Sequence, residues 1–136
     1  MILYDKKTQI TAPGDIAKII QDILKTEDKI DQMKEHFYAI HMDTRNVIKL
    51  IELISLGSVD MSVVHPRETF RRAVIEGVSS IIIAHNHPSG EAVPSDADIG
   101  ITKKLKEAGT ILGIELLDHI IVTNESYYSF KEKHLL

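Results

Sequence analysis

Residues 79–98 read SSIIIAHNHPSGEAVPSDAD, and the other elements of the chain can be placed around this stretch. The run Ser80–Ala84 is apolar and β-branched and then gives way to polar, turn-forming residues. This pattern predicts a buried strand that opens into a loop. His85 and His87 stand where the strand stops. Residues two apart on an extended chain point to the same side, so both imidazoles can face one point in space.

After the loop, a helix is predicted from Ser95 to about Leu112. Ser95 and Asp98 are three residues apart and therefore share one face of its first turn. Two neutral imidazoles and one carboxylate fill three tetrahedral positions of a zinc ion and leave the fourth for water, as in catalytic sites. Bound zinc lowers the pKa of water to about 7 and polarises a carbonyl group. His85, His87 and Asp98 are therefore candidate zinc ligands, and Ser95 is a candidate hydroxyl donor beside Asp98.

Each part of this motif also has an ordinary explanation. Two histidines beside a proline turn are common at protein surfaces. A serine followed three residues later by an acid is a capping box, which opens a helix without any metal. Asp96 is the local alternative to Asp98 as the acidic ligand. The joint occurrence of a strand-end His-x-His, a loop with Pro and Gly, and a Ser-x-x-Asp helix start favours a mononuclear metal site.

Upstream, two strands joined by a turn are predicted. Residues 35–43, EHFYAIHMD, carry β-forming side chains with partial alternation. Residues 44–46 read as a hairpin turn, residues 47 to about 55 as the second strand, and residues 61–64 as a further short strand. Glu35 opens the first strand, where a carboxylate can be half buried. From its own surroundings it is more often an ordinary surface glutamate.

Helices and strands alternate along the chain. An N-terminal helix is predicted at about 12–25, a second helix from Pro66, and a strand at 114–123. The order of elements indicates an α/β or α+β layered fold with helices covering a mixed sheet. The predicted inner stripe of the second helix consists of Phe70, Ala73, Val74 and Val78.

Composition limits the class of protein. A chain of 136 residues with 43% hydrophobic content fits one compact domain, 1–136. Cysteine is absent, so any metal must be held by His and carboxylate. No apolar run reaches the roughly 18 residues of a membrane span, and charged residues follow Met1 closely, so we expect a cytoplasmic protein without membrane contact. The net charge of −4 gives no support to DNA as a partner, and the pattern does not indicate an oligomeric state.

A polar pair, Asp118 and His119, interrupts the apolar strand at 114–123. Such a pair is more often a structural hydrogen bond than a catalytic dyad. A carboxylate also commonly orients the imidazole of a histidine that binds a metal. Both interpretations stay open at this point.

The central motif resembles the JAMM signature of the JAB/MPN zinc metalloprotease superfamily, which combines an upstream Glu with His-x-His and Ser-x-x-Asp. The surrounding sequence is similar to the RadC family, from about Glu35 to Val122. The stretches that carry these similarities are Glu35-His36-Phe37, Pro66-Arg67-Glu68, His85 to Gly90, Pro94 to Asp98, and Leu117-Asp118-His119.

The resemblance implies an MPN/JAB fold, which is cytidine-deaminase-like, and a role for five residues. His85, His87 and Asp98 would bind one Zn²⁺ per chain, with water as the fourth ligand. Glu35 would be the general acid/base, and Ser95 would stabilise the tetrahedral intermediate.

The implied function is a JAMM-type, zinc-dependent metallohydrolase, a metallopeptidase or isopeptidase that acts on an unknown peptide or protein amide. Under this resemblance Glu35 is preferred to Glu91, which is nearer to the motif in sequence but lies on the loop. Asn86 stands where eukaryotic deubiquitinating relatives have Ser or Thr, which fits RadC and removes one argument for cleavage of ubiquitin.

Two other functions are compatible with parts of the motif. The alternative is a non-catalytic DNA-repair-associated or interaction module that retains the fold and the metal, although a purely structural zinc would need neither Glu35 nor Ser95. A metal-dependent nuclease is disfavoured by the single-metal ligand count and the acidic balance.

Overall fold

The computed structural model describes residues 2–4, 8–57 and 64–136. In these parts of the chain, six strands form one sheet and four helices accompany it. The strands are β1 (Ile2–Tyr4), β2 (Glu35–Met42), β3 (Ile48–Gly57), β4 (Ser80–Asn86), β5 (Glu115–Val122) and β6 (Tyr127–Ser129). The helices are α1 (Pro13–Lys25), α2 (Lys29–Gln32), α3 (Pro66–Glu76) and α4 (Asp96–Leu112).

The sheet is mixed and helices cover it, which confirms the predicted α/β (α+β layered) fold class. The strand order is β1-β3-β2-β4-β5-β6, and all neighbours are antiparallel except β4 and β5. α4 supplies the long crossover that this parallel pair requires. All seven residues of β4 are buried, which explains why its sequence is continuously apolar instead of alternating.

Each face of the sheet has its own apolar core. Helix α1 covers one face, where it packs on alternate residues of β2, β4 and β5. This core comprises Ile16, Ala17, Ile20, Leu24, Tyr38, Ile40, Met42, Ile48, Ile51, Ile82, Ala84, Ile120 and Val122. Helices α3 and α4 cover the other face, with a core of Phe37, Phe70, Ala73, Val78, Ile81, Ile83, Ile101, Leu105, Ile114 and Leu116. Since Ile81 and Ile83 belong to the second core, His85 also points toward the α3 and α4 side.

Two local signals place the first elements. Pro13 occupies the first turn of α1, where no amide donor is needed. The carboxylate of Asp15 accepts the backbone N–H of Ala12 at 3.1 Å. In the turn between β2 and β3, Oδ1 of Asp43 accepts the N–H of Arg45 at 2.8 Å, which confirms the predicted hairpin.

Some features differ from the sequence expectations. The short elements β1, α2 and β6 were not predicted, because three or four residues are too few to show a period. Residues 61–63 of the further strand candidate lie outside the described residues, and Val64 belongs to no strand. The prediction that Val74 faces the core is wrong: its side chain is 56% exposed, and Thr69 is buried on the inner face of α3 instead.

None of the described helices has the length and apolar character that a membrane crossing requires.

Candidate metal centre

Three predicted ligands meet at one end of the central strand. His85 is near the end of β4, and His87 follows β4 directly. Asp98 lies in the first turn of α4, which the loop at 88–95 brings back over the same end of the sheet. His85 is 1% exposed and Asp98 is 2% exposed, so the site is set into the protein and opens toward solvent at His87.

The three side chains converge on one point. Nε2 of His85 lies 2.9 Å from Nε2 of His87. Oδ1 of Asp98 is 3.4 Å from Nε2 of His85, and Oδ2 of Asp98 is 3.5 Å from Nε2 of His87. Ligand atoms about 2.0–2.1 Å from a tetrahedral zinc ion are separated by about 3.3 Å, which is close to these distances. The group could therefore hold a metal ion.

A chain of hydrogen bonds sets the tautomer of His85. The hydroxyl of Thr102 donates to the carbonyl oxygen of Asp98 at 2.7 Å, so its oxygen can accept only from Nδ1–H of His119, at 2.6 Å. Nε2 of His119 is then unprotonated and accepts from Nδ1–H of His85 at 2.8 Å. Nε2 of His85 is consequently left with a lone pair that points into the site.

The tautomer of His87 follows from a single contact. Its Nδ1–H donates to the carbonyl oxygen of Glu91 at 2.9 Å, which leaves Nε2 unprotonated. Two nitrogen lone pairs and a carboxylate thus face one another within van der Waals distance. With both rings neutral, this arrangement is repulsive unless a cation lies between the three groups. A proton on His87 or a metal ion can take that place, so the donor set fits a divalent metal ion.

The charges in the site support the same conclusion. Burial raises the pKa of Asp98, but the interactions of its carboxylate with the protonated forms of His85 and His87 outweigh this effect and hold the pKa of that carboxyl well below its usual range. Asp98 is therefore an anion at neutral pH. Burial keeps the pKa of His119 well below its ordinary value of 6.5, so His119 stays neutral and can accept from His85.

The structure confirms the capping-box interpretation of the Ser-x-x-Asp motif, and the cap is compatible with a metal site. Oγ of Ser95 accepts the N–H of Asp98 at 3.0 Å, and Oδ2 of Asp98 accepts the N–H of Ser95 at 2.9 Å, which is a complete capping box. The cap fixes the carboxylate of Asp98 in the orientation that faces the histidines. The hydroxyl proton of Ser95 is not used in the cap. Asp96, the alternative acid, is exposed and outside the group.

Glu35 lies near His87 but outside the convergent group of ligands. It is the first residue of β2 and is partly buried. Phe37 is paired with His85, and Glu35, two residues away, projects on the same face of the sheet. The pKa of His87 is raised mainly by the hydrogen bond that its protonated ring makes with Asp98, and the charge of Glu35 adds to this effect. The side chain of Glu91, the alternative base, is on the exposed loop.

The polar pair on β5 divides between the two faces of the sheet. The carboxylate of Asp118 accepts from the hydroxyl of Ser129 at 2.6 Å and from the N–H of Lys131 at 3.0 Å. It contacts the backbone N–H of His119 but does not orient the imidazole, which Thr102 does instead. The alternation of a strand could have separated the pair. The helical period places Thr102 on the buried side of α4. No sequence pattern indicated its contact with His119, which arises only through the packing of α4 on β5.

An open cleft of about 780 Å³ reaches the site at its exposed side. Its walls are the end of α1, helix α2, and the turn between β5 and β6. The lining residues include Lys25, Lys29, Gln32, His87, Pro88 and Thr123.

Comparisons with known proteins show which family the chain is similar to. The model of the RadC-like JAB domain family matches residues 10–135. A UPF0758 protein of Chlorobium chlorochromatii is 43% identical over 128 residues, which is 94% of this chain and 55% of the relative. A UPF0758 protein of a Geobacillus strain is 44% identical over 130 residues, 96% of this chain and 55% of the relative. The UPF0758 protein of Methanosarcina mazei is 41% identical over 129 residues, 95% and 54% of the two chains. The chain thus spans little more than half the length of the curated relatives it matches.

Proposed function

Because the chain belongs to the RadC-like JAB domain family, we propose that it is a JAMM-type, zinc-dependent metallohydrolase that cleaves a peptide or protein amide. The single observation that carries this proposal is the convergence of two imidazole nitrogens and one carboxylate on one point. One of the three residues, His87, also lines the open cleft. A metallopeptidase or an isopeptidase would both use this arrangement.

The donor set supports zinc as the metal. Imidazole nitrogen and carboxylate oxygen are ordinary zinc ligands, and three protein ligands with one open position are typical of catalytic sites. His85, His87 and Asp98 would hold the ion through the atoms that already converge. Bound zinc would supply a nucleophile at neutral pH and polarise the scissile carbonyl.

Two further side chains would take part in the reaction. One would transfer the proton of the attacking water, and the other would stabilise the negative charge of the tetrahedral intermediate. The carboxylate of Glu35 lies on the same face as the ligands, where it would accept a proton from the attacking water and return it to the leaving amine. The hydroxyl of Ser95 caps the helix that holds Asp98 and retains its proton. It would donate to the oxygen of the tetrahedral intermediate.

The test combines metal content with peptide cleavage. We expect the purified protein to contain about one zinc per chain and to cleave members of a quenched fluorescent peptide library. Glu35→Gln should keep the zinc and lower the cleavage rate by about 10²–10⁴-fold, because it removes the general base. Equal rates for Glu35→Gln and the unchanged protein would assign the base elsewhere.

Glu115→Gln is the matched control. Glu115 also opens a strand, β5, but it is exposed and lies at the opposite end of the sheet. We expect this variant to retain both zinc and activity.

A further inference from the structure

Asn86 stands between the two histidines of the candidate site, and its side chain does not face the metal ligands. It is the last residue of β4 and is 4% exposed. His85 and His87 point to the α3 and α4 side of the sheet, so Asn86 points the other way by strand alternation. A buried amide in this place needs hydrogen-bond partners.

Both partners are backbone groups of the segment that carries Glu35. Nδ2 of Asn86 donates to the carbonyl oxygen of Lys34 at 3.0 Å. Oδ1 of Asn86 accepts the N–H of His36 at 2.6 Å. The orientation of the amide is fixed, because a carbonyl can only accept and an N–H can only donate. These two backbone groups flank Glu35 on either side.

The hydrogen bonds of Asn86 continue the connection between β2 and β4 beyond the last pair of residues. The pairing of β2 with β4 ends at Phe37 and His85. Beyond that pair, the side chain of Asn86 replaces the backbone partner that β4 no longer provides. The start of β2 is thereby tied to the residue between the two histidines.

We infer that Asn86 is a positioning residue that fixes the carboxylate of Glu35 relative to His85 and His87 by clamping the backbone on both sides of Glu35. This inference rests on the proposed function, in which Glu35 is the base. A displacement of about 1 Å in such a group can lower a rate about 10²-fold, so the clamp would matter for the reaction without touching the substrate.

The test uses the full chain loaded with cobalt(II), whose visible absorption reports the groups around the metal. The measured quantity is the pH at the midpoint of the absorption change. We expect Glu35→Gln to move this midpoint. Asn86→Ala should keep about one metal ion per chain and move the midpoint in the same direction, by at least about half as much. In the Glu35→Gln background, Asn86→Ala should cause no further change.

The variants Asn86→Ala and Glu35→Gln can overturn the inference in three ways. An unchanged midpoint in Asn86→Ala, together with a shift in Glu35→Gln, would make Asn86 purely structural and leave the proposed function intact. A shift by Asn86→Ala that persists in the Glu35→Gln background would mean that Asn86 does not act through Glu35. An unchanged midpoint in Glu35→Gln would remove the proposed base and the inference with it.

A second variant and a control keep the test decisive. If Asn86→Ala does not melt cooperatively, Asn86→Ser replaces it, since a hydroxyl can still bond one of the two backbone groups. A midpoint for Asn86→Ser between those of the unchanged protein and Glu35→Gln supports the clamp. A midpoint for Asn86→Ser equal to that of the unchanged protein contradicts the clamp. Gln21→Ala is the matched control, because the amide of Gln21 also donates to a distant backbone carbonyl, that of Thr123, at 2.9 Å. A midpoint shift in this control would show a general effect of lost stability and would overturn the inference.

Discussion

The position of one hydroxyl proton determines the tautomers of two histidines in the site. The hydroxyl of Thr102 has one proton, which it gives to the carbonyl oxygen of Asp98, and this choice determines the tautomers of His119 and His85 in turn. The relay begins at the backbone of one candidate ligand and ends at the imidazole of another. Such supporting hydrogen bonds orient a ligand and raise its basicity.

His119→Phe tests this relay. Phenylalanine keeps the ring that stacks on Phe130 but removes the nitrogen that accepts from His85. We expect the zinc affinity to fall about 10–100-fold, as for other supporting residues of metal sites. The measurement is competition with a fluorescent zinc chelator. His119→Gln, whose amide oxygen can still accept, should recover part of the affinity, and equal affinities for all three proteins would contradict the relay.

Asp98 combines a structural and a ligand role, and two substitutions separate them. Asp98→Asn keeps an oxygen that can cap the N–H of Ser95, whereas Asp98→Ala does not. In urea denaturation of the metal-free proteins, we expect Asp98→Ala to be less stable than Asp98→Asn by about 0.5–2 kcal/mol, the value of a helix cap. Both variants should lose zinc. Retention of zinc in Asp98→Asn would mean that the carboxylate charge is not needed for binding.

At the residue scale, the sequence predicted the side chains whose spacing is local. His85 and His87 are two apart at the end of a strand, and Ser95 and Asp98 are three apart at the start of a helix, so periodicity alone groups each pair. Thr102 and Asn86 were not predicted. Their partners are 17 and about 50 residues away, and only the packed sheet brings them together.

At the scale of elements, the long strands and helices followed their patterns and the short ones did not. β2, β3, β4 and α4 carry enough residues for a period to show, whereas β1, α2 and β6 do not. The site needs three of the long elements at once. β2 carries Glu35, the proposed base. The end of β4 carries His85 and is followed by His87, and α4 carries Asp98.

The packing of α4 depends on one glycine. A Cβ atom at Gly109 would overlap the carbonyl oxygen of Ile114 and would lie 3.2 Å from the ring of Phe70. Gly109→Ala should therefore lower the free energy of unfolding by about 1–3 kcal/mol, although alanine normally favours a helix. Urea denaturation measures the change.

Gly100→Ala is the control within the same helix. A Cβ atom at Gly100 has no neighbour within 4 Å in the described part of the chain, so alanine should raise the free energy of unfolding by up to about 1 kcal/mol. Equal effects at the two glycines would contradict the close approach of α4 to Ile114 and α3.

At the scale of the whole molecule, one mixed sheet has the candidate metal centre at one end. Other polar side chains are buried elsewhere in the sheet. The candidate site uses the end of the sheet where β4 stops between an antiparallel and a parallel neighbour. A mixed sheet could be predicted because the helix predicted from Pro66, before β4, is long enough for a crossover, although the parallel neighbours in the structure are β4 and β5, which α4 connects. The exact sheet order could not, since β1 and β6 are three-residue edge strands.

The buried histidines predict how stability depends on pH. Burial lowers the pKa of His41 below 6.5, and the hydrogen bond to Glu52 at 3.2 Å offsets only part of this effect. The unfolded chain therefore binds the proton first as the pH falls, so the free energy of unfolding should decrease from about pH 7.5 to about pH 5.5. Urea denaturation across this range should give a smaller slope for His41→Gln. An unchanged slope would assign the dependence to other groups.

Anomalous X-ray scattering at the zinc edge tests the central claim most directly. Crystals of the purified protein should show one anomalous peak about 2.0–2.2 Å from Nε2 of His85, Nε2 of His87 and a carboxylate oxygen of Asp98. Crystals of His85→Ala should show no peak at this position. A peak elsewhere in the molecule, or none in crystals grown with zinc, would contradict the assignment of a metal centre to these three side chains.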